Sequence, residues 1–332
     1  MAEMSIKKST AVKIAAGTIA AGAACGHIAG RHFYNMAIDA ESTYKPDLGN
    51  HHRRDENESA ESYRSTADLL AALGGEDIWE LSNDGKALKL HALKIINNTE
   101  NASGMWVIAF HGHASDCSMM GQFADVFYNM GFNILLPDAR GCGRSEGYYH
   151  GMGWDDRLDC LAWIDRISRD FDDPSIVLFG VSMGASTVML AEGEKLPDNV
   201  KAAIEDCGYT SIRDQLTYSI GHIFHIPAFP VLQLTSAVTK RRAGYSLLHD
   251  GSCVDAVRRS ATPTLFIHGD SDTFIPPANM EKLFSAAACP KEKLTIHGAG
   301  HGQSAMTDPD MYWSAIYKFL WKYTGGTVHS YQ

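Results

Sequence analysis

The stretch Ile176-Val177-Leu178-Phe179-Gly180-Val181-Ser182-Met183-Gly184 decides how the rest of the chain is read. Its first four residues are apolar and make a short strand. A helical run from Ala185 to Glu194 follows. A serine on so sharp a strand-to-helix turn needs small neighbours, because the backbone there is strained and closely packed. Gly180 and Gly184 supply that room. The turn exposes the hydroxyl at a helix N-terminus, where the dipole favours negative charge. Ser182 is therefore the candidate nucleophile. The pentapeptide alone is modest evidence; its place between a strand and a helix gives it weight.

Working outward, five more apolar runs share the pattern. Met105–Phe110 ends at His111-Gly112, and Phe132–Leu136 ends at Pro137-Asp138. Ala202–Ile204 ends at Glu205-Asp206, Thr264–Ile267 at His268-Gly269, and Leu294–Ile296 at His297-Gly298. Strands buried on both faces are continuously apolar, so a mostly parallel sheet covered by helices is expected. The stretch from Trp79 to Ile96 differs. It alternates, and it turns at Asn83-Asp84-Gly85, as a hairpin does. Nearly every polar cluster follows a strand, where open α/β sheets place their ligands.

Serine is a weak nucleophile until a base takes its proton. The glycines of Gly298-Ala299-Gly300-His301-Gly302 let that loop bend toward the serine, which makes His301 the candidate base, with His297 as its rival. The base needs an acid to fix its tautomer. Asp272, in His268-Gly269-Asp270-Ser271-Asp272, is favoured over Asp270 and Asp206. Acyl transfer also needs donors for a developing oxyanion. The N–H of Met183 is one candidate. The N–H of His113, in the loop after Phe110, is the other. His111 and His113 have no carboxylate or cysteine cluster beside them, so no metal and no cofactor are expected.

The 332 residues suffice for one large α/β domain with appendages. The chain is 45% hydrophobic and 20% charged, ordinary globular composition that excludes global disorder. A net charge of -10 without a basic run speaks against nucleic-acid binding. Seven scattered cysteines lack any C-x-x-C pair, which reads as free buried thiols rather than a disulfide framework.

Residues Ile14–Gly30 carry no formal charge, follow Lys7, Lys8 and Lys13, and contain Gly22-x-x-x-Gly26-x-x-x-Gly30. A basic flank before an apolar Ala/Gly-rich stretch is the layout of a signal anchor or a signal peptide. The expectation is an anchor or signal segment and linker over 1–44, a polar linker and helix over 45–75, and a catalytic domain over 76–325. That domain would lie outside the cell, membrane-bound through the N-terminal segment only, or be secreted after cleavage. The charged patch Asn50–Glu58 reads as solvated surface.

From about Trp79 to Tyr323 the chain resembles the α/β-hydrolase superfamily, and most closely its bacterial surface-associated serine hydrolases of the esterase/lipase kind. Phe110-His111-Gly112, Leu136–Ser145, Gly180–Gly184, Glu205–Ser211, His268–Pro276 and Gly298–His301 carry the resemblance. It implies the α/β-hydrolase fold, the order Ser182, Asp272, His301 for the triad, and a structural role for Asp138–Ser145. Residues 209–259 are not core sheet and should form a small helical cap. Phe224, Phe229 and Leu232 are expected to line an apolar pocket beneath it. Three readings follow: an esterase working through an acyl-serine on a small ester with an apolar part; a peptidase or acyltransferase on the same triad; or a non-catalytic surface protein.

Overall fold

The computed structural model describes residues 26, 28–42, 66–326 and 328–330. Eight strands form one sheet in the order β1-β2-β4-β3-β5-β6-β7-β8. They are β1 (Glu76–Leu81), β2 (Lys89–Ile95), β3 (Trp106–Phe110), β4 (Asn133–Pro137), β5 (Ile176–Val181), β6 (Val200–Asp206), β7 (Thr264–Gly269) and β8 (Lys291–Ile296). β2 runs antiparallel to both β1 and β4. The pairs from β4 through β8 are parallel. All six apolar runs are strands, and the alternating stretch is the β1–β2 hairpin. This is the α/β-hydrolase fold.

The apolar strands serve two cores. Successive strand residues face opposite sides of a sheet. In β5, Val177 and Phe179 join one buried cluster with Phe127, Trp313 and Phe319. Ile176 and Leu178 join another with Trp163 and Ile164. The helices that supply these partners are α3 (Gly121–Asn129) and α9 (Pro309–Tyr323) on the first face, and α4 (Asp156–Asp170) and α5 (Met183–Glu192) on the second. A strand that feeds both layers must be apolar at every position, which is why period-2 alternation vanishes there.

The loop after β4 is structural, as the resemblance implied. Arg140 is fully buried. Its Nε and Nη2 donate to Asp159 at 2.8 and 2.6 Å, and its Nη1 to Asp84 at 2.7 Å. This two-pronged grip ties the hairpin turn to α4, the geometry a guanidinium is built for.

A third cluster joins Ile212 and Ile220 of α6 (Ile212–Ile223) and Leu232 and Val238 of α7 (Ala228–Arg242), the two helices of the expected cap, to Met189 of α5 and Phe266 of β7. α8 (Cys253–Val257), also within the expected 209–259, packs on α5, with the Cys253 thiol against the Ser186 carbonyl at 3.9 Å.

The boundary drawn at 76 also moves. Residues 28–37 are a helix, α1, seated on the body. Tyr34 and Ile38 are fully buried in the cap-side cluster. The Ile38 carbonyl accepts from the His150 N–H at 2.7 Å. A Cβ on Gly30 would come within 2.8 Å of the Leu234 carbonyl, so only glycine allows this approach to α7. A second helix, α2, spans 66–72, and its Leu70 enters the core. Most of Ile14–Gly30 and all of Asn50–Glu58 lie outside the described residues. Among those described, no helix is long and apolar enough to cross a membrane.

Candidate active site

The site assembles at the carboxyl ends of β5, β7 and β8. Ser182 follows β5 directly with φ 60° and ψ -116°. That conformation is costly for a residue with a Cβ and persists only where the surroundings enforce it. Its N–H donates to the Asp206 carbonyl at 2.8 Å, locking the turn to the end of β6. A Cβ on Gly184 would stand 2.1 Å from the Phe110 carbonyl oxygen. Glycine is thus required where the first turn of α5 meets the end of β3.

His301 lies in the loop after β8. Its Nε2 is 2.8 Å from Ser182 Oγ, and its Nδ1 is 2.8 Å from Asp272 Oδ2. The carboxylate can only accept, so Nδ1 carries the proton and Nε2 accepts from the hydroxyl. Asp272 Oδ1 accepts from the Phe274 and Ile275 N–H groups at 2.8 and 2.9 Å. Burial alone would raise the Asp272 pKa. Hydrogen bonds from His268 and His301, together with the nearby charge of His301, outweigh it and hold the carboxyl well below its usual range. Asp272 therefore stays ionised while almost fully buried.

The rivals are placed elsewhere. His297 Nδ1 pairs with Asp270 Oδ2 at 2.7 Å on the exposed surface. Asp206 accepts from the Ser304 and Tyr312 hydroxyls at 3.0 and 3.1 Å, and burial pushes its pKa to about 6.

The loop after β3 leans on Ser182. A Cβ on Gly112 would lie 3.6 Å from Ser182 Cβ. His111 is buried, and burial lowers its pKa, so the ring is neutral. Its Nε2 accepts from the Ala139 N–H at 3.0 Å, which leaves Nδ1–H to donate to the Gly112 carbonyl at 2.7 Å. The His113 N–H sits on the opposite edge of that same trans peptide. His111 therefore fixes the direction of the expected oxyanion donor. Met183 opens α5, where the first N–H groups have no partner within the helix.

A cavity of about 70 Å³ opens beside Ser182 and Met183. Phe224 and Leu232 line it. Phe229 does not: it is 73% exposed. Its backbone is extended (φ -87°, ψ 131°) where α7 begins, which breaks the helical register that would have put it on the inner face with Leu232. Reading the sequence missed two contributors. One is α1, whose Phe33, Met36 and Ala37 line the cavity; their helical i, i+3, i+4 spacing was the available signal. The other is His268, fully buried, whose Nε2 reaches Asp272 Oδ2 at 3.2 Å.

The six described cysteines are all buried, and no disulfide joins any two of them. Two groups among the described residues have the spacing to approach an ion: His91, Cys117 and Asp138, and Cys207, Asp272 and His301. In both, hydrogen bonds between the protein groups already engage the His and Asp members. Burial raises the Cys117 and Cys207 thiols, which keeps them protonated.

Residues 102–243 match the model of a family described as serine aminopeptidase, S33. The chain is 25% identical to the uncharacterised protein YqkD of Bacillus subtilis, over 64% of this chain and 70% of that one. It is 27% identical to the α/β-hydrolase domain-containing protein WAV2 of Arabidopsis thaliana, over 75% and 79%. Among solved structures, the Pyrococcus furiosus esterase Pf2001 superposes with a TM-score of 0.62 at 20% identity, over 77% of this chain and 96% of that one. The acylaminoacyl peptidase of Pyrococcus horikoshii does so at 0.55 and 18%, over 78% and 42%. The matched segment holds the candidate nucleophile but neither Asp272 nor His301, and these come from strand ends that the fold itself brings alongside. The chain is an α/β-hydrolase in fold, with a serine, a histidine and an aspartate hydrogen-bonded in series where β5, β7 and β8 end.

Proposed function

We propose that the protein is a serine hydrolase of carboxylic esters. The observation that carries this is the unbroken series from Ser182 Oγ through His301 to the ionised Asp272, each link 2.8 Å long. Ser182 Oγ attacks the ester carbonyl and its proton passes to His301 Nε2. The oxyanion is received by the N–H groups of Met183 and His113. Collapse releases the alcohol, which takes the proton from His301. Water, activated by the same histidine, then hydrolyses the acyl-serine. Asp272 stabilises the imidazolium in both halves.

An ester with an apolar part is supported by the cavity wall. No Asp or Glu lines the described cavity, so it offers no carboxylate to pair with the α-ammonium group that an aminopeptidase substrate presents. The family description and the peptidase neighbour keep the peptidase reading as the alternative. Labelling with a fluorophosphonate probe tests the nucleophile: wild type labels and Ser182→Ala does not. A wild type that fails to label overturns the reading. Parallel assays on p-nitrophenyl esters and aminoacyl p-nitroanilides then separate ester from amide cleavage.

A further inference from the structure

The wall of the cavity is not made by the sheet and cap alone. α1 lies outside the segment matched by the family model, yet it supplies one side of the pocket. The Phe33 ring meets the Phe224 ring edge-on, with centroids 5.2 Å apart. This contact joins α1 to the end of α6 across the pocket. Such pairs are specific in geometry and add to simple burial.

α1 is held there by polar contacts as well. His113 Nε2 lies 2.9 Å from the Ala37 carbonyl, so the helix is latched to the loop beside Ser182. Arg242 Nη1 reaches Asp39 at 3.4 Å, and its guanidinium lies over the buried Tyr34 ring at 4.9 Å. The Ala40 N–H donates to the Tyr148 carbonyl at 3.2 Å. The close seat of Gly30 on Leu234 fixes the height of the helix over α7. These contacts hold the helix against the body at both ends and along its middle.

We infer that α1 is a specificity element and that Phe33, closing against Phe224, limits this enzyme to esters of short acyl chains. The cavity of about 70 Å³ is roughly half of an engineered cavity of about 150 Å³ that holds benzene. On that scale it takes an acyl chain of about two to four carbons. This rests on the serine-hydrolase reading. The acyl chain occupies the space between α1 and the α6–α7 cap, and the Phe33–Phe224 edge is its end stop. Removing either ring lengthens the space; enlarging Phe33 shortens it.

The test uses two alkyl fluorophosphonates, ethyl and octyl, whose alkyl group stands in for the acyl chain. Ser182 Oγ displaces fluoride from phosphorus, and its proton passes to His301. The readout is the ratio of octyl to ethyl labelling rate on the full chain. Wild type favours ethyl. Phe33→Ala and Phe224→Ala each raise the ratio by at least about tenfold, the scale on which one or two methylenes fit or do not fit an apolar pocket. Phe33→Trp lowers it, so a substitution that fills the space checks those that empty it. Phe229→Ala, on the exposed side of α7, leaves it unchanged. Thermal melting confirms that each variant is folded. A wild type that prefers octyl, or alanine variants within twofold of the wild-type ratio while still labelling, overturns the inference and leaves the serine hydrolase standing. Absence of labelling in wild type overturns the hydrolase reading and takes this one with it.

Discussion

The two sides of the cavity are built by different means. On the sheet side, Ser182, Asp272 and His301 sit within five residues of the ends of β5, β7 and β8. Their positions follow from strand register, and their local backbone is over-determined by tight contacts and hydrogen bonds. On the cap side, the wall comes from Phe33, Phe224 and Leu232, drawn from three helices and about 200 residues of chain. The candidate catalytic groups are placed by the most repetitive part of the fold, and the shape of the cavity by its least repetitive part. The two should therefore fail differently when altered: one in turnover without loss of stability, the other in preference with it.

Ser182→Ala is the strongest attempt to break that contrast. It should lower esterase turnover by about 10⁴-fold or more while the melting temperature holds. Stopped-flow assays and calorimetry check it; a large drop in melting temperature would show that the nucleophile also carries the fold. Asp272→Asn should lower kcat by about 10⁴-fold, because the amide allows the wrong imidazole tautomer. A loss confined to KM would show that Asp272 is not oriented on the base.

Leu232→Ala probes the other side. Leu232 is buried, and its loss should cost about 2–4 kcal/mol in urea unfolding and move preference toward longer acyl chains. An unchanged chain-length profile would separate the cap from specificity. The smallest effect is expected from Glu192→Gln, at the end of the helix that carries the nucleophile. Burial raises the Glu192 pKa from 4.5 to about 8, although its Oε2 accepts from Ser260 and Thr264. Because the folded pKa lies above the unfolded one, this group's stabilisation is complete below about pH 4.5 and is lost as pH climbs toward about 8. The urea midpoint of Glu192→Gln should therefore fall less than that of wild type over this range. Parallel slopes would refute it.

The same contrast explains what could be read in the sequence. Apolar runs, glycine turns and the order of Ser182, Asp272 and His301 are local signals, and local physics sets them. The choice of Asp272 over Asp270 was legible as position after a strand, though its decisive bonds to His301 and to the Ile275 N–H are tertiary. The place of α1 was not legible in this way. Residues 28–37 fell within the anchor or signal segment and linker expected over 1–44, because nothing in them announces a partner 200 positions away. Phe229 lies outside the cavity wall for a smaller reason: its own backbone is extended where α7 begins.

The contact of Gly184 with the Phe110 carbonyl has an evolutionary consequence. A joint with no clearance cannot drift, since every residue larger than glycine would push the nucleophile off its strand. Lineages descending from such a protein inherit the reaction as a fixed part. Their diversity has to be invented in the surrounding helices, where a ring can be traded for a methyl group without touching the machinery below. New diets would arise at α1 and the cap long before any new chemistry arose at the sheet.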